Sequence, residues 1–364
     1  MAKTLRVTVV GCGRIAQSVH LGVLASCPGV EVAALADPDP VRLREAHRRV
    51  PTAAAFDNYR EALDGDDVQA AVIATSTASH AEVAIAALRL GKHVYLEKPI
   101  ATDLAGAREV LSAWRESGAV GMIGFNYRFH PLYKSLAREL RSGRIGDVVA
   151  VRSVFSTTVV GHSEWKRSRA LGGGVLLDLA SHHIDLIPFL FERQVVEVSA
   201  KLHSRRGEGD TATLELRLDD GVLVQSFFSL DSVTEDRLEV YGQMGKLTVD
   251  RCSGLAVQFE DAQRREGRLG SPGRWLRSQG SLGRLVRKLR FSDHEPSYRA
   301  ALAHFVDAVR AGRAARPDLS DGYRSLEIIE AAERSAATGI SVKLGSLDVA
   351  DPSRRDLAAR EGRP

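Results

Sequence analysis

The first third of the chain alternates short apolar runs with longer, helix-like stretches. The runs LRVTVV, VEVAALA, QAAVIAT, KHVYLE and AVGMIGF predict strands, and helices are predicted before residue 27 and over about residues 79–90 and 103–117. Strands that alternate with helices of ten or more residues are typical of a doubly wound parallel sheet. We therefore expect an α/β domain of this architecture over residues 1–124.

The pattern of polar and apolar positions changes after residue 124. DVVAVRSVFS, VVEVSAKLHS, TATLELRL and VLVQSFFSL predict strands at close spacing, and the last two flank the hairpin-type turn Asp219-Asp220-Gly221. A helix over residues 172–190 interrupts the strands, and two helices near residues 298–311 and 322–338 follow them. Residues 125–345 are thus predicted to form a second α/β domain with a large, mostly antiparallel sheet, followed by a tail over 346–364.

The composition is that of an ordinary globular protein. The chain of 364 residues, 44% of them hydrophobic, is long enough for two domains and has no apolar run of about 18 residues that would predict a membrane span. Its start lacks the apolar core of a signal peptide, and its three cysteines are too scattered for a disulfide framework. These two features predict a cytoplasmic, reduced protein. We expect no nucleic-acid partner, because the net charge of +4 is not spread over the whole surface.

Positive charge is concentrated in one segment, residues 262–292, which carries nine Arg or Lys residues and one acidic residue. Apolar residues between the arginines would allow part of it to form an amphipathic helix. The segment is either a solvated insertion or a cap over a functional site that binds a diphosphate or another acidic group. A contact with a membrane surface or an acidic partner is a weaker alternative.

A glycine-rich motif follows the first predicted strand. Gly11, Gly13 and Ala16 fit the G-x-G-x-x-G/A pattern, in which the glycines allow a tight turn and a close approach to a pyrophosphate at a helix N-terminus. Asp37 ends the second strand, where a carboxylate binds ribose hydroxyls and repels a 2′-phosphate. The predicted cofactor is therefore NAD rather than NADP, and Arg42 is the residue that weakens this preference. The motif residues predicted to contact the cofactor are Gly11, Gly13, Arg14, Ile15 and Ala16.

Polar residues follow the strand-like runs QAAVIAT and KHVYLE. The first run leads to Thr75, Ser76 and His80, and the second ends in the tripeptide Glu97-Lys98-Pro99. A lysine at the carboxyl edge of a parallel sheet faces the ligand crevice, although this tripeptide alone could equally be a surface ion pair. The residues predicted to line the cofactor site at this edge are Thr75, Ser76, His80, Glu97 and Lys98.

The segment GGGVLLDLASHHIDL, residues 172–186, combines an apolar helix pattern with a line of titratable groups. Asp178, His182 and Asp185 are spaced i, i+4 and i+7, which places them on one face of an α-helix. The apolar neighbours predict that this helix is largely buried. His183 lies about 100° around the helix from His182 and is interpreted as a packing residue or as a neighbour that supports the site without touching substrate.

Together these segments resemble the glucose–fructose oxidoreductase/inositol dehydrogenase family (Gfo/Idh/MocA). The resemblance covers about residues 4–344 and rests on GCGRIA, ALADPDP, TASHAEVAIAALRLGKHVYLEKPIATDLAGA, GFNYRFHP, GGGVLLDLASHHIDL and DAVRAGRAARPDLSDGYRSLEIIEAAERSAATG. It implies a Rossmann domain followed by an α/β domain whose open sheet often mediates oligomerisation. A homodimer or homotetramer is therefore expected.

The resemblance also implies roles for individual residues. Lys98, Asp178 and His182 match the lysine and the D-x-x-x-H pair that act at the substrate carbinol in such proteins. An imidazole suits the general base, a lysine stabilises a developing alkoxide, and Asp178 would orient the imidazole or bind a neighbouring hydroxyl. Residue type also permits a metal site at Asp178, His182, His183 and Asp185, but hydride transfer to NAD needs no metal and none is expected.

Further candidates come from matching the positions of this chain to the motifs of the family. Asn126 is expected on the cofactor side of the crossover between the domains. Lys166 stands where many relatives have an arginine. His20 is interpreted as a packing residue, and Tyr298 and Tyr323 are minor candidates for the lining. The additional residues predicted to contact substrate are Arg128, Trp165, Lys166 and Arg169.

The resulting functional hypothesis is NAD-dependent oxidation of a ring secondary alcohol in a sugar, or reduction of the ketone. Arginine outnumbers lysine 41 to 9, as in proteins from GC-rich genomes, where relatives often make ketosugars for aminosugar or antibiotic biosynthesis. The preferred substrate is a nucleotide-activated hexose oxidised at its 3-hydroxyl. The alternatives are an inositol, aminocyclitol or free-sugar dehydrogenase, a non-catalytic NAD-binding regulator, and a hydrolase or lyase that retains its NAD.

Overall fold

The computed structural model describes residues 4–65, 67–158, 168–262 and 296–345. The predicted substrate residues Trp165 and Lys166, almost all of the basic segment, and the tail after residue 345 lie outside these ranges. What the sequence predicts for them therefore stays a prediction.

The N-terminal domain is built on a six-stranded, fully parallel sheet. Its strands are β1 (Leu5–Val10), β2 (Val30–Ala36), β3 (Ala54–Phe56), β4 (Ala70–Ile73), β5 (His93–Leu96) and β6 (Gly121–Ile123). They lie in the order β3-β2-β1-β4-β5-β6, which confirms the predicted doubly wound architecture. The winding direction reverses between β1 and β4, and ligands of such sheets bind in the crevice at that point.

Helices connect these strands on both faces of the sheet. A π-helical turn, Ala16–His20, leads into α1 (Leu21–Ala25), and the further helices are α2 (Pro40–Arg49), α3 (Tyr59–Leu63), α4 (Thr77–Arg89) and α5 (Leu104–Ser117). Two of these helices begin at an acidic N-cap residue. The side chain of Asp39 accepts hydrogen bonds from backbone N–H groups in the first turn of α2, and that of Asp103 accepts one in the first turn of α5. The hydrophobic pattern does not predict α2, because Ala46 is its one buried residue.

The C-terminal domain contains an eight-stranded sheet. Its strands are β7 (Val148–Thr158), β8 (Val195–His203), β9 (Thr211–Leu218), β10 (Leu223–Ser229), β11 (Asp231–Gly242), β12 (Gly245–Asp250), β13 (Gln258–Asp261) and β14 (Val342–Lys343). The order is β13-β12-β11-β7-β10-β9-β8-β14, and β7 and β10 form its one parallel pair among the described strands. The predicted hairpin at Gly221 and the mostly antiparallel sheet are confirmed.

The remaining helices cover the second sheet or return to the first domain. They are a 3₁₀ turn at Asn126–Phe129, α6 (Pro131–Arg141), a 3₁₀ turn at Arg169–Leu171, a π-helical turn at Leu176–Ala180, α7 (Ser181–Phe191), α8 (Pro296–Arg310) and α9 (Leu319–Thr338). In α9, Ser335 accepts a hydrogen bond of 3.1 Å from the backbone of Ala200 in β8. In contrast, α8 packs on the first domain, where Phe305 makes an edge contact with Tyr95 of β5 at 5.8 Å.

The predicted helix over residues 172–190 begins later and less regularly than its sequence pattern indicates. Gly172 and Gly174 have φ values of +86° and +90°, which an α-helix excludes, so helical backbone resumes only at Leu176. A Cβ at Gly172 would lie 2.4 Å from Cβ of Thr77 in α4, so the glycine allows the two domains to approach closely here.

The segment Arg169–Phe191 is long and apolar enough to cross a membrane by length and composition alone. Its apolar window has a mean hydropathy of 1.3, and 78% of that window is buried inside the protein. Burial of this kind is typical of a core helix, because its apolar faces are already covered by protein.

Candidate active site

The glycine motif forms the turn after β1, at the point where the sheet reverses direction. Gly11 has a φ of +90°, and a Cβ there would lie 2.6 Å from the backbone of Ala74 and Thr75 at the end of β4. A Cβ at Gly13 would meet no atom of the described residues within 4 Å. Gly11 is therefore required by the fold, whereas Gly13 leaves its backbone open to a ligand.

Asp37 lies directly beside this turn. One oxygen of its buried carboxylate accepts a hydrogen bond of 2.7 Å from the backbone N–H of Cys12, and the other accepts from Asp39 at 2.8 Å. Each carboxylate oxygen has a second lone pair, so Asp37 can still accept from ribose hydroxyls. The turn, the following helix and this carboxylate fit the adenosine and pyrophosphate portions of a dinucleotide.

A depression of about 400 Å³ adjoins the same turn on its solvent side. It is lined by Gly13, Arg14, Gln17, Ser18, Arg42, Glu45 and Arg49. Arg42, which weakens the preference for NAD, lies 3.3 Å from the carboxylate of Asp39 and is largely exposed. The three arginines in this lining give the depression a positive charge, which Glu45 offsets in part.

His80 joins the edges of β4 and β5. Its Nδ1 lies 2.6 Å from the carbonyl oxygen of Pro99, and its Nε2 lies 3.2 Å from that of Thr75. The side chain is buried, and this burial lowers the pKa of His80. His80 thus holds the turn after Lys98 in place, an arrangement that favours a role behind the cofactor site over a direct contact. Ser76 precedes α4 at its N-cap position and is exposed.

Glu97 and Asn126, both predicted to contact the cofactor, point into buried polar surroundings. Oε1 of Glu97 lies 2.8 Å from Nε2 of His20, whose ring packs edge-on against Tyr95. The amide of Asn126 donates a hydrogen bond of 2.9 Å to Ser297, while its carbonyl oxygen is buried without a hydrogen-bond partner among the described residues. The interpretation of His20 as a packing residue agrees with its complete burial.

Lys98 reaches across the domain boundary to the π-helical turn. Its Nζ donates a hydrogen bond of 2.6 Å to the backbone carbonyl of Asp178 and lies 3.6 Å from the carboxylate oxygen Oδ1. The side chains of Lys98 and Asp178 are 13% and 20% exposed, so both reach solvent in the crevice. The structure thus brings together two of the three residues that the sequence predicts to be catalytic.

His182, the third of these residues, lies one turn further along the same helix and is 8% exposed. Its ring stacks on that of Tyr127 with centroids 4.3 Å apart and an interplanar angle of 19°. Burial, followed by the positive charges of Lys98 and Arg251, lowers the pKa of His182 well below its usual value. The imidazole is therefore neutral around pH 7, the state in which it can accept a proton.

His183 faces away from this group, into the interior of the second domain. Its Nε2 lies 3.1 Å from Oδ1 of Asp236, a fully buried carboxylate. This contact agrees with the interpretation of His183 as a packing residue. Within the parts of the chain that the structure describes, no group of three His, Cys, Asp or Glu side chains is arranged to hold a metal ion.

Arg128 and Asp185 form a buried ion pair beneath the site. The Nε and Nη2 atoms of Arg128 donate to the two carboxylate oxygens of Asp185 at 2.8 and 2.6 Å, and Asp321 of α9 lies 3.1 Å away. Burial raises the pKa of Asp185 to about 7, although Arg128 acts in the opposite direction. This placement favours a structural role for Arg128 over the predicted contact with substrate.

Arg169 is likewise engaged with protein groups. Its guanidinium forms a bidentate pair with Glu333 of α9 and donates to the carbonyl oxygen of Thr102 at 3.0 Å. The predicted substrate contact is therefore not favoured by its position either. The hydroxyl of Tyr323, a minor candidate, accepts a hydrogen bond of 3.5 Å from Arg108 in α5.

Three residues near His182 were not singled out by the sequence pattern: Tyr127, Asp236 and Arg251. Arg251 donates a hydrogen bond of 2.6 Å to Asp236 and lies 4.7 Å from the ring centroid of Tyr127. Tyr127 lies in the segment GFNYRFHP, one of the segments on which the family resemblance rests, so the sequence pointed to this segment but not to the tyrosine itself. Asp236 and Arg251 carry no local signal, because each lies in an ordinary strand or turn far along the chain.

Comparison with known proteins identifies relatives of both domains. Residues 5–125 match the oxidoreductase family with an NAD-binding Rossmann fold (GFO_IDH_MocA), and residues 137–344 match the C-terminal α/β domain of the same family. Myo-inositol 2-dehydrogenase of Thermotoga maritima is 26% identical over 93% of this chain and 98% of its own length. A dTDP-3,4-didehydro-2,6-dideoxy-α-D-glucose 3-reductase of Actinomadura kijaniata is 30% identical over 69% and 76%.

Among solved structures, the WlbA dehydrogenase from Bordetella pertussis in complex with NADH and UDP-GlcNAcA has a TM-score of 0.81. It is 23% identical and covers 94% of this chain and 99% of its own, so the similarity concerns the fold. The matches to both domain families cover most of the chain and agree with the resemblance seen in its motifs. The chain belongs to the Gfo/Idh/MocA family of oxidoreductases.

Proposed function

We propose that this oxidoreductase moves a hydride between NAD and a ring secondary alcohol of a sugar or cyclitol. The observation that carries the proposal is the grouping of Lys98, Asp178 and a neutral His182 at the carboxyl edge of the first sheet. Bound NAD would accept the hydride from the carbinol carbon, or return it in the reverse direction. Gly13 and Asp37 support the binding of this cofactor.

His182 would accept the hydroxyl proton of the substrate. Its lowered pKa keeps the imidazole unprotonated near neutral pH, which a general base requires. Lys98 would donate a hydrogen bond to the same oxygen and stabilise the developing alkoxide. The carbonyl of Asp178 holds the ammonium of Lys98 in place, and the carboxylate of Asp178, which is 20% exposed, would accept a hydrogen bond from a neighbouring substrate hydroxyl.

The decisive experiment replaces the two proposed catalytic groups separately. We expect Lys98→Ala and His182→Ala each to lower kcat by about 10²- to 10⁴-fold, the usual contribution of a positioned acid–base group. NAD affinity, measured by calorimetry, should stay close to that of the unmodified protein. Near-full turnover by His182→Ala would refute the assignment of the base.

Two substrate classes deserve separate tests. The inositol dehydrogenase of Thermotoga maritima supports a cyclitol, and the dTDP-sugar reductase of Actinomadura kijaniata supports the nucleotide-activated hexose favoured by the sequence. A panel of inositols, aminocyclitols, free hexoses and UDP- or dTDP-hexoses, followed by NADH formation, separates them. If nucleotide sugars are preferred, KM should rise with ionic strength, because a diphosphate is recognised through its charge.

The oligomeric state and the location in the cell stay proposals as well. A homodimer or homotetramer in the cytoplasm fits the proposed function. The open face of the second sheet carries exposed apolar side chains, among them Leu223 and Tyr241, which both pair with Ala150 and which a partner subunit could cover. Light scattering of the purified chain would give its molar mass directly, and a monomer at micromolar concentration would contradict the proposal.

A further inference from the structure

The imidazole of His182 is oriented by ring packing. Its Nδ1 is buried and has no hydrogen-bond partner among the described residues. A general base is ordinarily oriented by a third group that hydrogen-bonds its second ring nitrogen. Here the close contacts are aromatic: Tyr127 stacks at 4.3 Å, and Phe155 lies tilted at 6.2 Å. The plane of the imidazole is therefore set by its contact with Tyr127.

Tyr127 is itself fixed from several sides. Its hydroxyl donates a hydrogen bond of 2.9 Å to Oδ2 of Asp236, and its ring stacks on Tyr133 at 5.6 Å. The ring is 3% exposed and lies under the guanidinium of Arg251. The hydrogen bond fixes the position of the hydroxyl and so the axis of the ring, and Tyr133 and Arg251 restrict rotation about that axis, which makes Tyr127 a rigid surface for its neighbour.

Asp236 links the surrounding side chains into one cluster. It accepts from Tyr127, Tyr133 and Arg251, and it contacts His183. Although burial alone would raise the pKa of Asp236, the hydrogen bond from His183 and the charge of Arg251 hold it below its usual range. The carboxylate is therefore ionised near neutral pH and accepts charge-assisted hydrogen bonds.

We propose that Tyr127 is a positioning residue of the reaction: the buried cluster around Asp236 fixes its ring, and this ring fixes the plane of His182. The inference rests on the proposed role of His182 as the base. The charged groups that face His182 are Lys98 from the first domain, Asp178 from its own helix, and Arg251 with Asp236 from β11 and the turn after β12. None of the four forms a hydrogen bond with Nδ1.

The direct test is NMR spectroscopy of the full chain labelled at histidine, with the His182 signal assigned by its loss in His182→Asn. A stacked tyrosine ring should displace the His182 ring protons upfield. Tyr127→Phe keeps the ring and should keep this displacement, whereas Tyr127→Leu should abolish it. Tyr127→Met is the substitute if the leucine variant does not fold. An unchanged His182 signal in a folded variant without the ring would overturn the proposal.

Kinetics with the best substrate of the panel provide the second readout. We expect Tyr127→Leu to lower kcat by about 10- to 100-fold with KM within about threefold, because misplacement of a catalytic group by about 1 Å has effects of this size. Tyr127→Phe should recover most of the loss. Phe305→Leu removes a buried ring in the first domain and controls for general destabilisation, with kcat unchanged.

The two proposals fail in different ways. Retained turnover in His182→Ala refutes the assignment of the base but leaves the NMR result intact. Retained turnover in Tyr127→Leu, together with lost turnover in His182→Ala, refutes the positioning role alone. An equal loss of kcat in Tyr127→Leu and Phe305→Leu would also refute it, because a purely structural effect would then suffice.

Discussion

The ammonium of Lys98 donates its 2.6 Å hydrogen bond to the backbone carbonyl of Asp178, while the carboxylate of the same residue lies 3.6 Å away. Because every residue has a backbone carbonyl, this bond across the two domains does not depend on the side chain at position 178. The positive charge of Lys98 is thereby held near His182, and it is one of the causes of the lowered pKa of that imidazole.

The pH dependence of alcohol oxidation should reflect this lowered pKa. The reaction needs neutral His182, so kcat/KM should not decline through titration of this residue until the pH is well below 6.5. Removing the nearby charge in Lys98→Met should raise the pKa of His182 and move the acidic limb of the residual activity to higher pH. The NMR titration of His182 measures the same shift without turnover; an acidic limb at the ordinary value would contradict the prediction.

The lowered pKa of His182 should also make the free energy of unfolding depend on pH. A histidine whose pKa is lower in the folded state contributes stability above its unfolded pKa of about 6.5. This contribution is lost as the pH falls from that value toward the folded pKa, because the unfolded chain binds the proton more readily. His182→Gln should therefore weaken the acid dependence of unfolding in this range.

Gly11 and Gly13 should respond differently to alanine. Gly11→Ala places a Cβ 2.6 Å from the backbone of Ala74 at a φ of +90°, so we expect a loss of stability of about 1–3 kcal/mol or more. Gly13→Ala adds a Cβ into space free of described protein atoms, so folding should be unaffected while NAD affinity falls about tenfold or more. Thermal unfolding and calorimetry measure the two effects, and equal stability losses would argue against an open Gly13.

Cofactor choice should depend on Asp37. Asp37→Asn removes the negative charge but keeps an oxygen that can accept the hydrogen bond from the backbone N–H of Cys12. The glycine turn after β1 should therefore keep its conformation. We expect the ratio of kcat/KM for NAD over NADP to fall about 10- to 100-fold, since the carboxylate both binds ribose hydroxyls and repels a 2′-phosphate. Arg42→Gln should leave NAD use unchanged. An unaltered ratio in Asp37→Asn would show that another group makes the selection.

Arg128 should matter for stability. Arg128→Met leaves the buried carboxylate of Asp185 without its cation and the partly buried Asp321 with Arg316 at 3.5 Å, so we expect a loss of about 3–5 kcal/mol in the free energy of unfolding. Arg60→Met, which breaks an exposed pair with Glu82, should cost less than about 1 kcal/mol. Adding Asp185→Asn to Arg128→Met should recover part of the loss. Denaturant unfolding distinguishes these cases, and similar losses in both single variants would contradict the prediction.

The local signals in the sequence were sufficient for the architecture and for the centre of the candidate site. The glycine motif, Asp37 and Lys98 follow strands whose apolar pattern is unambiguous, so their meeting at one sheet edge can be inferred from topology alone. The left-handed conformation of Gly172 was harder to foresee, because a glycine before an apolar run is also compatible with a helix interior.

The partners of buried charges could not be inferred in the same way. Arg128 meets Asp185 and Asp321, which are 57 and 193 positions further along the chain, and no local pattern encodes such a contact. A basic residue near a predicted site therefore looks like a substrate ligand until its carboxylate partners are located. The same reasoning applies to Asp236, whose strand neighbours give no indication of a buried anion.

The π-helical turn at Leu176–Ala180 has a consequence for how this family could lose its chemistry. Such a turn contains one residue more than an α-helical turn, so deleting a single codon within it would restore regular helix geometry. Asp178 lies in this turn, and in a regular helix its carbonyl would bond to the backbone N–H four residues further on and no longer meet Lys98. The glycine turn and Asp37 would stay intact. One small deletion would thus leave a protein that still binds a dinucleotide but has lost the acceptor that holds the ammonium of Lys98.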